Sequence, residues 1–131
     1  MSLSGGCFCG QVRYEARGRA LNVRCCHCTL CRKANSAPFF ARAMFAAGDI
    51  TLTGETLDYP TSDRVMRRSC ARCGTLVFAE PKDSPARIAI SLPTLDDPNA
   101  LAPEMHIFTS SKLAWLKLDD ALPQYLERPP A

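Results

Sequence analysis

Residues 24–33 read RCCHCTLCRK, placing Cys25, Cys26, Cys28 and Cys31 within one short stretch, with His27 among them and Arg32 and Lys33 directly after. Two further cysteine groups flank it in the chain: Cys7-x-Cys9, and Cys70-x2-Cys73 followed by Gly74. The N-terminal residues MSLSGGCFCGQVRY lack the apolar core of a secretory signal, and no stretch approaches the roughly 18–20 apolar residues of a membrane span. The expectation is therefore a cytoplasmic protein without a membrane partner, whose thiols stay reduced. In that setting eight cysteines point to metal rather than to disulfides. Cys7/Cys9 and Cys26/Cys28 are also poorly spaced to bridge within each pair, whereas close thiolates converging on one ion are what zinc requires.

Spacing leaves two ways to group the ligands. One joins Cys28 and Cys31 to Cys70 and Cys73 as a zinc ribbon does, leaving Cys7, Cys9, Cys25 and Cys26 for a second closed site. The other joins Cys7 and Cys9 to Cys70 and Cys73, leaving Cys26, Cys28 and Cys31 as an open site with Cys25 spare. The Cys-x2-Cys-Gly knuckle serves either grouping, because Gly74 lets backbone amides approach a sulfur and offset its charge.

The remaining chain reads as an all-β domain with minimal short helix. Val12, Tyr14 and Ala16 alternate with Gln11, Arg13 and Glu15, the period of a half-buried strand. Residues 21–25 read as its partner across a turn at Gly18. Further strands are expected at 37–45, 49–54, 75–80, 87–92 and 105–110, with short helical turns near 29–35 and 119–125. Ten prolines and seven glycines spread along 131 residues suit short strands joined by tight turns, and nothing divides the chain into two domains. Phe39, Phe40, Phe45, Phe78 and Trp115 are expected in the core. A net charge of +3 is far below that of a dedicated nucleic-acid binder, which argues against such a partner.

Taken together, GGCFCGQVRY (5–14), CHCTLCRKANSAPF (26–39), RSCARCGTL (68–76), LPTLDDP (92–98), EMHIF (104–108) and SKLAW (111–115) resemble the glutathione-dependent formaldehyde-activating enzyme family, which includes centromere protein V. The motifs run in family order over a core of about 4–116, with 117–131 as a C-terminal extension of the same domain. The resemblance implies a compact zinc fold of short antiparallel strands, of the type also found in a Rab guanine-nucleotide exchange factor. It implies two zinc ions per chain. Cys7, Cys9, Cys70 and Cys73 would hold the structural one. Cys26, Cys28 and Cys31 would hold the catalytic one, with its fourth position open.

Three thiolates on a zinc ion make a weak Lewis acid, suited less to activating water than to keeping a fourth sulfur deprotonated. Such a thiolate adds to an aldehyde carbon or leaves from it. The expected activity is a zinc-dependent carbon–sulfur lyase, or adduct-forming enzyme, on a small thiol such as glutathione and a small aldehyde such as formaldehyde. The alternative is a non-catalytic zinc module that contacts a protein or nucleic acid through its basic face. Arg32 and Lys33 are candidate substrate-binding cations. Beside the thiolates, His27 is a candidate hydrogen-bonding residue. Cys25 reads as a small buried side chain ending a strand. His106 reads as a strand residue, either facing a pocket or structurally satisfied. Asp96-Asp97-Pro98 reads first as turn chemistry. Arg64, Arg67, Arg68 and Arg72 read first as a solvated basic face, with anion binding as the sharper alternative.

Overall fold

Alternation along β2 (Arg13–Arg17) buries Tyr14 and Ala16 and leaves Arg13, Glu15 and Arg17 in solvent. In the computed structural model, which describes residues 2–130, β2 lies between β1 (Ser2–Gly6) and β5 (Ile50–Thr53) in a three-stranded antiparallel sheet. The other strands form a seven-stranded sheet. They are β3 (Asn22–Cys26), β4 (Phe40–Ala46), β6 (Thr56–Pro60), β7 (Val65–Cys70), β8 (Leu76–Pro81), β9 (Arg87–Ser91) and β10 (Met105–Ile107). Their spatial order is β10-β3-β4-β9-β8-β7-β6, antiparallel throughout except for the parallel β10–β3 pair. The single α-helix among the described residues, α1 (Thr29–Asn35), follows β3 directly.

Central strands of the larger sheet are covered on both faces, which is why they read as nearly continuous apolar runs. On β4, Ala43 and Phe45 join one core, while Phe40 and Met44 join a second. On β9, Ile88 and Ile90 face the first core and Ala89 the second. The first core packs against the three-stranded sheet through Val12, Tyr14 and Ala16, and includes Cys7 and Cys70. The second contains Cys26 and Cys31. Each cysteine group is thus assigned to its own face of the sheet.

The architecture is mostly β with one short helix, as expected, but several local expectations fail. β3 does not pair with β2; it pairs with β4 and β10, because Val23, Cys25 and Cys26 are buried in the larger sheet. Strands β1, β6 and β7 escape the sequence reading because their apolar alternation is weak: Gly5 and Gly6 end β1, and two arginines occupy the middle of β7. Residues 119–125 form no helical turn. Pro123 is a poor interior helix residue, and the open edge of β10 offers partners instead: the His106 amide donates to the Pro123 carbonyl and the Tyr125 amide to the His106 carbonyl, each at 2.9 Å. Phe40, Phe45 and Phe78 are buried, whereas Trp115 is 66% exposed and lies outside the core. No helix among the described residues is long and apolar enough to cross a membrane.

Phe78 is wholly buried and meets the Tyr14 ring edge-on at 5.5 Å, joining the two sheets. Replacing Phe78 by Ala should cost about 3–5 kcal/mol of unfolding free energy in urea titrations. Trp115→Ala should change it by less than about 0.5 kcal/mol.

Candidate metal centres

Two tight turns bring the first cysteine group together. The Cys7 amide donates to the Val12 carbonyl at 3.0 Å and the Gly10 amide to the Cys7 carbonyl at 3.2 Å, closing the loop that carries Cys9. After β7, the Cys70 carbonyl accepts the Gly74 amide at 2.9 Å, and Gly74 takes a φ of +81°, which a side chain would resist. The Cys7, Cys9, Cys70 and Cys73 sulfurs all lie within 4.8 Å of one another. Cys7 to Cys9 is 3.6 Å and Cys9 to Cys70 is 3.8 Å. A disulfide would need a sulfur separation of about 2 Å. Four sulfurs on a tetrahedral zinc, at Zn–S of about 2.3 Å, stand ~3.8 Å apart. The spacing fits the ion.

Backbone amides approach two of these sulfurs. The Val12 amide reaches Cys7 Sγ at 3.2 Å, and the amides of Arg72 and Cys73 reach Cys70 Sγ at 3.3 and 3.4 Å. Cys73 lies 3.2 Å from the Thr75 hydroxyl, which, followed by the Thr75 amide, draws its pKa down to about 5. Thr75 carries no motif signal in the sequence.

The second group comprises Cys26, Cys28 and Cys31, also within 4.8 Å of one another, with Cys26 and Cys31 buried. Cys26 ends β3. Cys28 is the N-cap of α1, where its sulfur accepts the Cys31 amide at 3.3 Å in place of the usual hydroxyl or carboxylate. Cys31 then sits one turn into the helix, returning to the same point. The Cys26 and Cys31 side chains draw the Cys28 pKa down to about 2, while Cys28 and Cys31 push Cys26 strongly up. One thiol ionises at the expense of its neighbours, and a cation between the three removes that conflict.

The sulfurs gather in these two sets and not in the ribbon grouping. Strand parity explains the place of Cys25: it shares the face of Val23, opposite to Cys26, and burial raises its pKa to about 11. None of the eight cysteines is in a disulfide.

His27 is wholly buried between Cys26 and Cys28, and its ring bonds to another ring rather than to sulfur. Its Nε2 lies 2.9 Å from His106 Nδ1, and His106 Nε2 lies 2.7 Å from Asp120 Oδ2. Phe39 covers the other side, with ring centroids 5.1 Å apart. Burial first, then His106, Lys112 and Arg32, holds the His27 pKa down to about 4, so the ring is neutral at pH 7. His106 is the satisfied structural histidine. Asp120 was not anticipated, since only the strap along β10 brings it there.

Arg32 turns back on its own loop, donating to the His27 carbonyl at 3.4 Å and the Thr29 hydroxyl at 3.3 Å. Lys33 faces a cavity of about 430 Å³ between α1 and the β6–β7 hairpin. The cation that touches a sulfur of the three-cysteine cluster is Arg67, whose Nη2 stands 3.4 Å from Cys31 Sγ. Asp96 pairs both carboxylate oxygens with the Arg13 guanidinium, and Asp97 accepts the Asn99 amide at 3.0 Å, so the pair does turn and bridging work.

Residues 2–111 match the glutathione-dependent formaldehyde-activating enzyme family. The chain belongs to that family. It is 28% identical over 74 residues to an uncharacterized lyase of Schizosaccharomyces pombe, covering 56% of this chain and 54% of that protein, so the chain spans about half the length of this curated relative. A Rhodobacter sphaeroides protein of known crystal structure shares the fold, with a TM-score of 0.62 and 20% identity over 77% of this chain and 98% of that one. The family match supplies a zinc-associated enzymatic context for the two clusters. It ends before the strap that carries Asp120.

The Asp120 carboxyl is held below the usual carboxylate range, first by the His106 ring and then by the Leu122 amide. Its contribution is therefore present above the ordinary value of about 3.9 and is lost as pH falls through the depressed folded value. At neutral pH, Asp120→Asn should speed hydrogen exchange at the His106 and Tyr125 amides, with metal content unchanged.

Proposed function

We propose that this chain is a zinc-dependent carbon–sulfur lyase, or adduct-forming enzyme, acting on a thiol–aldehyde pair such as glutathione with formaldehyde or another small aldehyde. The observation that carries the reading is the difference between the clusters: four sulfurs meet in one and three in the other. In this reading Cys7, Cys9, Cys70 and Cys73 hold a structural zinc, and Cys26, Cys28 and Cys31 hold a catalytic one with a coordination position left for substrate. Zinc bound at that second cluster supplies a place where a substrate thiol stays deprotonated near neutral pH. In the reaction, sulfur and proton add across the aldehyde C=O: a C–S bond forms, the π pair moves to oxygen, and oxygen takes the proton. The reverse breaks the same bonds, and neither direction needs a further co-reactant.

The chain's own residues serve this chemistry in distinct ways. Phe40, Ala79, Ala89 and Ile107 surround Cys26 and Cys31 with apolar surface and limit water. The buried guanidinium of Arg67 offsets the negative charge of the thiolates. Lys33 adds a second cation at the cavity, whose volume suits a small-molecule ligand. His27, neutral and fixed by His106, holds the turn between Cys26 and Cys28 without adding charge. The S. pombe relative's designation as a lyase supports the reaction class. We read residues 1–131 as one domain with kinship to the zinc fold of a Rab exchange factor, working in a reducing compartment such as the cytoplasm.

Wild-type protein should turn over S-hydroxymethyl adducts of glutathione above the uncatalysed rate, and Cys28→Ser should not. Equal background rates in both would refute the enzyme reading and leave a zinc-binding module. Metal analysis should find Cys28→Ser folded with one zinc fewer. Cys70→Ser should lose most of its fold, since a structural zinc contributes on the order of 10 kcal/mol to folding.

A further inference from the structure

β10 is three residues long, yet both of its edges are used. On one side it pairs in parallel with β3, and the Ile107 carbonyl accepts the His27 amide at 3.0 Å. On the other side lies the strap, residues 120–127. The His106 amide and carbonyl bond to Pro123 and Tyr125, and the amides of Phe108, Thr109 and Ser110 donate to the carbonyls of Glu127, Tyr125 and Leu126 at 3.0, 3.1 and 3.1 Å. Tyr125 packs against the core that holds Cys26 and Cys31. The strap lies wholly beyond residues 2–111, the segment that matches the family.

A second link runs through side chains. Both oxygens of Asp120 are engaged: Oδ1 accepts the Leu122 amide at 3.1 Å, and Oδ2 lies 2.7 Å from His106 Nε2. The other nitrogen of His106 meets His27 Nε2 at 2.9 Å. His27 Nδ1 is buried without a hydrogen-bond partner among the described residues. The His106 contact is therefore the one polar anchor, among those residues, of a ring that is wholly buried. Deprived of it, the imidazole would keep no hydrogen bond, which drives a buried polar group toward water. His27 stands between Cys26 and Cys28 in the chain, so its ring cannot leave without disturbing that turn.

The geometry points to the strap as a clamp on the three-cysteine cluster, in which Asp120 and His106 are positioning residues that act through His27 to hold the Cys26–Cys28 turn. Each step from Asp120 to His106 to His27 is a hydrogen bond, and the last step, to the two flanking cysteines, is covalent. The four-cysteine cluster has no such link. The amides of Val12, Arg72 and Cys73 serve it, and among the described residues none of 120–127 hydrogen-bonds to Cys7, Cys9, Cys70 or Cys73. Loosening the clamp should therefore act on one cluster alone. That a loosened turn releases an ion faster rests on the zinc reading above, whereas the loosening of the turn rests on the hydrogen-bond chain alone.

Two readouts on the zinc-loaded full chain test the clamp: release of zinc to a competing chelator, and hydrogen exchange at the His27 amide. In Asp120→Ala and His106→Leu, one zinc should leave about tenfold faster than in wild type and the other at the wild-type rate. The His27 amide should exchange about tenfold faster in both variants, while the Cys7 and Gly74 amides keep their wild-type rates. Leu126→Ala, an exposed strap position off the hydrogen-bond chain, should match wild type in both readouts. Unchanged exchange at His27 in Asp120→Ala and His106→Leu would overturn the clamp. Equal acceleration at both clusters would overturn it too, since general loosening of the fold does that, as would two bound zinc ions leaving at wild-type rates. Faster exchange at His27 in a protein that binds a single zinc would uphold the clamp and sink the zinc reading of the second cluster. If His106→Leu fails to fold, Asp120→Ala decides the matter, because that carboxylate is 44% exposed.

Discussion

Thiolates repel one another, yet seven of the eight cysteine sulfurs are gathered into two groups, each within 4.8 Å. This is the constraint on which the rest of the structure depends. The Cys7–Cys9 loop and the Cys70–Cys73 turn are far apart in sequence and meet only because the sheets bring them together. Backbone amides and the Thr75 hydroxyl reduce the repulsion locally, but they do not cancel several like charges at such range. A divalent cation does. The four-sulfur cluster therefore ties the three-stranded sheet to the turn after β7, in a chain whose cores are shared between two faces of one sheet.

The second cluster solves a different problem on the opposite face. Its three sulfurs come from one local sequence, with a strand end, a cap and a first helical turn supplying one each. Local assembly makes the geometry independent of the long-range pairing that builds the first cluster. What arrives from afar is charge: Arg67 from β7 reaches Cys31, and Arg42 from β4 lies close enough to feel Cys26 and Cys31, its own pKa lowered by burial. Apolar packing on this face raises the strength of those interactions by keeping water out.

Sequence patterns revealed what is local and missed what is not. Cysteine spacing exposed both candidate metal-binding groups, and the alternation of Val12, Tyr14 and Ala16 exposed the strand that carries the first core. Spacing alone left two groupings open, because the choice depends on which sheet face each loop reaches. The parity of β3 separates Cys25 from Cys26, but parity becomes informative only once β4 and β10 are known as neighbours. Arg67 was indistinguishable from Arg64, Arg68 and Arg72 in a basic run, since its burial depends on the pairing of β6, β7 and β8. Arg32 looked better placed by sequence, yet one helical turn aims it at its own loop. Asp120 and Trp115 show the same limit in the C-terminal segment: the open edge of β10 draws the chain past the core, so a polar residue gains a partner and a large aromatic one stays in solvent.

The cap of α1 has a wider meaning. Cys28 ends an extended segment, begins the helix by accepting an amide on its sulfur, and belongs to the three-thiol cluster. The helix it begins carries Leu30 and Lys33, one wall of the cavity. Were a cation held by the three sulfurs, its occupancy and the ordering of that wall would share this single side chain. By thermodynamic reciprocity, anything settling against the wall would then tighten the hold on such an ion, and removing the ion would loosen the wall.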